Sequence, residues 1–144
     1  MQAGTPRTTL KMKRTLPTLQ RFVLRHELLG PQDGKIVVFL HGLLGSGNNL
    51  RTLAKRIQQK HNHIAPLLLD LRGHGQSPSG EGSSDPTTLN CCAKDVINTV
   101  QELGLRGGGK SPVCVIGHRY SSANTLFVFH GFAFESLLLQ VCLK

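Results

Sequence analysis

The chain has 144 residues, which suits one domain with a hydrophobic core, and its 39% hydrophobic content argues against wholesale disorder. Its formal net charge of +9 is unevenly placed, because six basic residues precede the first acid, Glu27. The rest of the chain is only mildly basic, so we expect no nucleic-acid partner. It contains no apolar run of 18 residues, and we expect no membrane span.

Residues 1–20 form a basic tail without a single acid. This segment lacks the apolar stretch of a secretory signal. A basic start without acids is typical of a mitochondrial or plastid targeting segment. A disordered tail explains the same residues, because prolines at positions 6 and 17 interrupt any helix there. Both interpretations are open at this point.

Secondary structure is predicted from hydrophobic spacing. Residues 22–29 alternate loosely and end at the turn sequence Gly-Pro-Gln-Asp-Gly, which predicts a short hairpin entering the next strand. That strand is expected over residues 35–41, and it is apolar at consecutive positions, as a strand buried on both faces is. Two further buried strands are predicted, over residues 64–71 and 112–117.

Two amphipathic helices lie between these strands. One is predicted near residues 48–60, with Ser46 or Asn48 as its N-cap, and the other near residues 88–103. Strands that alternate with helices favour parallel pairing with right-handed crossovers. The sequence therefore predicts an α/β fold with a mostly parallel sheet and flanking helices.

The cysteines and histidines do not have the spacing of a metal site. Cysteines at positions 91, 92, 114 and 142 are not arranged as ligand pairs or as a disulfide framework, and small buried thiols explain them. His61-x-His63 could be part of a metal site, but a solvated turn is the better interpretation. We expect no metal and no cofactor.

Residues 104–111, Gly-Leu-Arg-Gly-Gly-Gly-Lys-Ser, fit the phosphate-binding pattern G-x-x-x-x-G-K-[ST] in full. A phosphate-binding loop follows a strand and opens a helix. Here a predicted helix comes first and a predicted strand follows. We interpret the segment as a linker, and nucleotide binding is the alternative function.

Three short motifs follow the three buried strands. They are His41-Gly42, the run Asp-Leu-Arg-Gly-His-Gly-Gln-Ser at 70–77, and Gly117-His118. In this order and spacing they resemble the α/β-hydrolase superfamily, nearest its small esterase-like members with an His-Gly-x-x-Gly-Ser loop. The resemblance covers about residues 22–118. It implies a partial α/β-hydrolase domain over residues 21–118 and a small acyl ester as substrate.

The resemblance also implies roles for residues around the strand ends. The backbone N–H groups of Leu43 and Tyr120 would form the oxyanion hole. The residues His41, Gly42 and His118 would line the pocket, with His41 and His74 as structural neighbours of the pocket rather than bases.

The nucleophile position of this pattern is occupied by Arg119. A guanidinium stays protonated and cannot attack an acyl carbon. Ser121 and Ser122 are the other candidates, but nothing in the sequence orients a base toward them. No catalytic residue is therefore assigned.

Residues 119–144 form an atypical apolar tail that holds four of the six phenylalanines. Within it Glu135 follows His130, which reverses the family order of acid and histidine. We expect a truncated, catalytically inactive hydrolase, from an intron-retained or incorrectly predicted transcript. A diverged short protein whose last helix packs on the sheet is the alternative, and a non-catalytic binding module is the other function left open.

Overall fold

The computed structural model describes residues 22–79, 88–105 and 112–118. Within these ranges the chain forms, in order, the strands and helices β1 (His26–Leu28), β2 (Lys35–Leu40), α1 (Gly47–Lys60), β3 (Ile64–Leu69), α2 (Leu89–Glu102) and β4 (Cys114–Gly117). The described strands make one sheet in the order β1-β3-β2-β4. The predicted α/β fold is confirmed.

The strand β2 lies at the centre and pairs in parallel with β3 on one side and with β4 on the other. The three buried strands predicted from the sequence are therefore neighbours, and both predicted helices are present. Each strand is slightly shorter than predicted. For example, β3 ends at Leu69, and the backbone N–H of the next residue, Asp70, donates to the carbonyl of Arg25 at 2.9 Å.

The predicted hairpin between residues 22–29 and β2 is wrong. The turn exists, because the N–H of Gly34 donates to the carbonyl of Pro31 at 3.1 Å. However, β1 pairs with β3 in the antiparallel sense, with His26 opposite Leu69. Both hydrogen-bonding edges of β2 are taken by β3 and β4, so β1 cannot pair with β2 and instead joins the sheet at the outer edge of β3.

The core lies on both faces of the sheet. One cluster joins Ile36, Val38 and Leu40 of β2 to Val96 and Val100 of α2. The other joins Val37 and Phe39 of the same strand to Leu50 and Ala54 of α1. A strand covered by helices on both faces has no polar side, which explains its run of consecutive apolar residues.

Two hydroxyl residues define where the helices begin. Ser46 is the N-cap of α1, as one of the two predicted alternatives, and its N–H donates to Oδ1 of Asn49 at 3.1 Å. Thr88 caps α2 and accepts from the N–H of Cys91 at 3.2 Å. These caps satisfy backbone groups that lack partners within the helix.

Residues 1–20 and 119–144, which were predicted to be two tails, lie outside the described ranges. The predicted division into a tail, a domain and a second tail stays a prediction. No helix within the described ranges is long and apolar enough to cross a membrane.

Candidate functional site

A cavity of about 300 Å³ lies where β2 and β4 end. In parallel sheets the carboxyl ends of neighbouring strands meet at one edge, which is where ligands of open α/β proteins bind. The cavity is lined by His41, Gly42, Leu43, Leu44, Gly45, Asn49, Leu50 and His118. It brings together the three residues predicted to line a pocket and Leu43, one of the two predicted oxyanion donors.

The other predicted site residues follow His118 in the chain. Tyr120, Arg119, Ser121 and Ser122 lie outside the described residues, and the roles assigned to all site residues stay predictions. His118 directly follows β4, and its N–H donates to the carbonyl of Leu40 at 3.0 Å. This bond holds the end of the Gly117-His118 motif beside the end of β2.

A tight turn over residues 42–45 forms one wall of the cavity. The N–H of Gly45 donates to the carbonyl of Gly42 at 3.0 Å, and Leu44 has a φ of 60°. This left-handed conformation costs a side-chain-bearing residue about 1–2 kcal/mol. The Leu43 and Leu44 side chains are 63% and 91% exposed, so burial of these side chains does not offset that cost. Such strain persists at functional sites more often than elsewhere.

Like the neighbouring Leu44 N–H, the Leu43 N–H of this turn has no partner, since no described residue accepts a hydrogen bond from either group. A backbone N–H at the wall of a cavity can donate to an anionic or carbonyl oxygen of a ligand. The neighbouring Gly45 N–H cannot do the same, because it already closes the turn.

His41 is buried, with a relative exposure of 1%. Its Nδ1 lies 2.8 Å from the Gly42 carbonyl, and its Nε2 lies 2.9 Å from the backbone nitrogen of Leu71. Since the carbonyl can only accept and the amide can only donate, His41 is neutral with its proton on Nδ1.

Burial lowers the pKa of His41, and the nearby His74 lowers it further, whereas the bond to Gly42 and the charge of Asp70 oppose the change. The two imidazole rings lie with their centroids 5.2 Å apart. With both nitrogens engaged, His41 is not placed to accept a proton from a substrate.

Asp70 was not predicted as a site residue, yet it holds the two loops of the site together. Its Oδ1 accepts from the N–H of Gly47 at 2.6 Å, and its Oδ2 accepts from the N–H of Gln76 at 2.9 Å. Gly47 is the first residue of α1, where a carboxylate also interacts favourably with the helix dipole. An acid directly after a buried strand was the signal in the sequence that could have shown this.

Arg72 and Asp95 form a buried ion pair behind the site, which the sequence analysis also missed. Arg72 donates from Nε at 2.7 Å and from Nη2 at 2.8 Å to the two carboxylate oxygens. The hydrogen bond to Asp95 raises the pKa of Arg72. The ring of Phe22 lies 4.9 Å from the guanidinium carbon, so the pair also anchors the start of the described chain.

Nucleotide binding by residues 104–111 is not supported. Only Gly104 and Leu105 of this segment are described, and they end α2. The N–H of Gly104 donates to the Gln101 carbonyl and the N–H of Leu105 to the Val100 carbonyl, both at 3.0 Å. With Gly104 at a φ of 67° and Leu105 buried, this is a Schellman helix end. The first glycine of the pattern terminates a helix.

The histidines and cysteines considered for metal or thiol chemistry show no such site within the described residues. In the parts of the chain that the structure describes, no three metal-ligating side chains come together. His61 and His63 are exposed, with ring centroids 6.1 Å apart. Burial raises the pKa of the Cys92 and Cys114 thiols, which disfavours the reactive thiolate.

Known proteins resemble this chain over the same region. The sequence profile of the family described as serine aminopeptidase, S33, matches residues 31–123. The sn-1-specific diacylglycerol lipase ABHD11 of Danio rerio is 43% identical over 90 residues, which are 62% of this chain and 25% of that protein. The 2-succinyl-6-hydroxy-2,4-cyclohexadiene-1-carboxylate synthase of Yersinia pestis (strain Pestoides F) is 37% identical over 84 residues, covering 57% of this chain and 26% of that protein.

Solved structures agree with the fold. A marine microorganism esterase superposes with a TM-score of 0.65 at 24% identity, covering 83% of this chain and 41% of the esterase. The chain spans about a quarter of the length of the two relatives above. The family profile covers well over half of the chain. The chain belongs to the serine aminopeptidase S33 family of the α/β-hydrolase superfamily.

Proposed function

We propose that this chain carries the oxyanion-binding side of a serine acyl-ester hydrolase site, and that the 144-residue protein binds acyl-ester-like ligands without turning them over. The observation that carries the proposal is the Leu43 N–H. Leu43 lines a cavity at the carboxyl ends of the strands, and its N–H has no acceptor among the described residues.

The Leu43 N–H is proposed as a donor because negative charge develops on the acyl oxygen during the reaction. When an acyl carbon is attacked, negative charge collects on its oxygen, and a fixed backbone N–H stabilises that charge without reorganising. One such donor is worth about 3 kcal/mol in the transition state. Leu43 supplies one donor, and in the family pattern the N–H of Tyr120 would supply the second.

An acyl ester is the favoured ligand class for two reasons. The relatives that share the matched region include proteins named as a diacylglycerol lipase and an esterase. In addition, three of the residues that line the cavity, Leu43, Leu44 and Leu50, are apolar, whereas His41, Asn49 and His118 are polar. A mixed lining beside a backbone donor suits an acyl group with its carbonyl oxygen.

The absence of turnover is proposed from the residue at the predicted nucleophile position. Arg119 follows Gly117-His118 at the position where the family pattern places serine. Because a guanidinium cannot act as a nucleophile, ester cleavage would have to use another group. Removing a complete triad lowers kcat about a millionfold in a serine protease, so any remaining rate would be close to background.

Labelling with a fluorophosphonate and hydrolysis of p-nitrophenyl butyrate by the purified 144-residue protein test this proposal. We expect no labelling and no hydrolysis above the buffer rate. The variant Arg119→Ser should remain inactive, because no acid and histidine in the family order follow it. Labelling that disappears in Ser121→Ala or Ser122→Ala would show a displaced nucleophile and contradict the proposed lack of turnover.

A further inference from the structure

We propose that His41 is a positioning residue for the Leu43 N–H, acting through the peptide group that joins Gly42 to Leu43. This inference rests on the proposed role of that N–H as an oxyanion donor. The same peptide group provides both the Gly42 carbonyl and the Leu43 N–H. Any bond that fixes the direction of one therefore fixes the direction of the other.

The Gly42 carbonyl is fixed from two sides. The Nδ1–H of His41 donates to it at 2.8 Å, and the N–H of Gly45 donates to it at 3.0 Å. A carbonyl oxygen has two lone pairs, so these two bonds occupy both. In a trans peptide the N–H points opposite to the C=O. The Leu43 N–H is thereby aimed away from His41 and Gly45, and no described residue accepts from it.

His41 is itself fixed by the rest of the fold. Its Nε2 accepts from the N–H of Leu71, which is part of the loop that follows β3. That loop is joined to α1 through Asp70, which accepts from Gly47 and from Gln76. A chain of hydrogen bonds thus runs from the loop after β3, through the His41 ring, to the peptide that bears the proposed donor.

Two substitutions of His41 each keep one of the two hydrogen bonds of the ring and remove the other. Asparagine can place an amide N–H near the position of Nδ1 and keep the bond to Gly42, but it does not reach Leu71. Glutamine can place an acceptor near the position of Nε2 and keep the bond to Leu71, but it loses the bond to Gly42. A purely structural role predicts that both bonds matter alike, whereas the positioning role predicts that the glutamine variant alone disturbs the Leu43 peptide.

A third substitution disturbs the peptide group between Gly42 and Leu43 without changing His41. A Cβ at Gly45 would lie 3.0 Å from the Gly42 carbonyl oxygen and 3.3 Å from Nδ1 of His41. Gly45→Ala should therefore push on the fixed carbonyl directly. This variant keeps the test decisive if His41→Gln does not fold.

The experiment is an HNCO spectrum of the ligand-free 144-residue protein, in which one cross-peak links the Leu43 N–H with the Gly42 carbonyl carbon. We expect this peak to move in His41→Gln and Gly45→Ala and to stay near its wild-type position in His41→Asn. A long-range ¹H–¹⁵N spectrum should show the proton of the wild-type ring on Nδ1. A proton on Nε2, or a Leu43 peak that moves equally in His41→Asn and His41→Gln, would overturn the proposal.

Binding of phenylphosphonate, a tetrahedral oxyanion, then separates this inference from the proposed function. If the wild-type protein binds it at Leu43, His41→Gln should bind about ten- to a hundredfold more weakly, as expected for loss of a hydrogen bond to a charged group, and His41→Asn should bind like wild type. If the wild-type protein does not bind it, the proposed function fails, whereas the ligand-free spectra still decide the role of His41.

Discussion

At the scale of single residues, two glycines in the loop after β3 show how differently the same residue type can be constrained. Gly73 and Gly75 both have positive φ, at 69° and 54°. Around Gly73 the nearest atom to an added Cβ is 3.9 Å away, whereas at Gly75 that Cβ would collide with the Asp70 carboxylate. The close approach at Gly75 is what allows Asp70 to accept from the N–H of Gln76.

We therefore expect Gly75→Ala to destabilise the protein by about 2–5 kcal/mol, since backbone strain and overpacking add. Gly73→Ala is the matched control and should cost only the strain, about 1–2 kcal/mol. Urea unfolding followed by circular dichroism measures both. Equal losses for the two variants would show that contact with Asp70 is not what requires glycine at position 75.

The buried His41 predicts a dependence of stability on acid. Burial lowers its pKa from the usual 6.5, so the unfolded chain binds a proton more readily than the folded one. The contribution of His41 to stability is therefore complete above about pH 6.5 and is lost as pH falls below it, by at most about 1.4 kcal/mol per pH unit.

Urea midpoints at pH 7.5, 6.5 and 5.5 check this expectation. Wild-type protein should lose stability across the acidic half of the range more steeply than His41→Asn. His63→Asn, which removes an exposed histidine, serves as the control and should follow the wild-type curve. Parallel curves for wild type and His41→Asn would contradict the assignment of a neutral buried ring.

At the scale of secondary structure, the sequence predicted what local spacing determines. Continuous apolar runs predicted the three parallel strands, and residue type and position predicted Ser46 or Asn48 as the cap, of which Ser46 is the observed one. The partner of β1 could not be predicted in the same way. Its antiparallel pairing with β3 depends on which edges of the sheet remain free, and this follows from the order of the whole sheet.

The candidate site could likewise be predicted only in part from the sequence. His41, Gly42 and His118 could be placed at one edge because each directly follows a strand. The hydrogen bonds that organise the site could not, since His41 reaches Leu71 across 30 residues and Asp70 reaches Gly47 across 23. The sequence spacing contains no signal for such contacts until the strand order is known.

The helix end at Gly104 gives a prediction at this scale. The Cβ that Gly104→Ala adds would have no atom within 4 Å. Only the left-handed backbone should therefore matter, and it should lower the free energy of unfolding by about 1–2 kcal/mol. Thermal unfolding measures this loss. Leu105→Ala removes the buried apolar contact of the same helix end and should also destabilise the protein. Tight ATP binding that Gly104→Ala or Lys110→Ala abolishes would instead support the nucleotide alternative.

At the scale of the whole molecule, the buried pair of Arg72 and Asp95 connects the loop after β3 to α2. Its side chains are 6% and 3% exposed. The carbonyl of Asp95 accepts from the hydroxyl of Thr99 at 2.7 Å, and that hydroxyl accepts from the N–H of Leu24 at 2.9 Å. The segment before β1, the loop of the candidate site and the second helix are thus held by one polar network.

Arg72→Met leaves a buried carboxylate without its partner and should cost about 3–5 kcal/mol. The double variant Arg72→Met/Asp95→Leu removes both charges and should recover much of that loss. The surface pair of Arg51 and Glu27, at 2.8 Å with side chains 39% and 23% exposed, is the control. Arg51→Met should change stability by less than about 1 kcal/mol. Additive losses in the double variant would contradict the coupling of Arg72 with Asp95.

The central claim is that the cavity at the carboxyl ends of β2 and β4 binds a developing oxyanion through the Leu43 N–H. The most direct measurement is a ¹H–¹⁵N titration of the wild-type protein with phenylphosphonate, with benzyl alcohol as the uncharged control. We expect a saturable downfield shift of the Leu43 amide with the phosphonate and a smaller shift with the alcohol, while amides of α2 stay unchanged. No shift at Leu43, or equal shifts with both ligands, would contradict it.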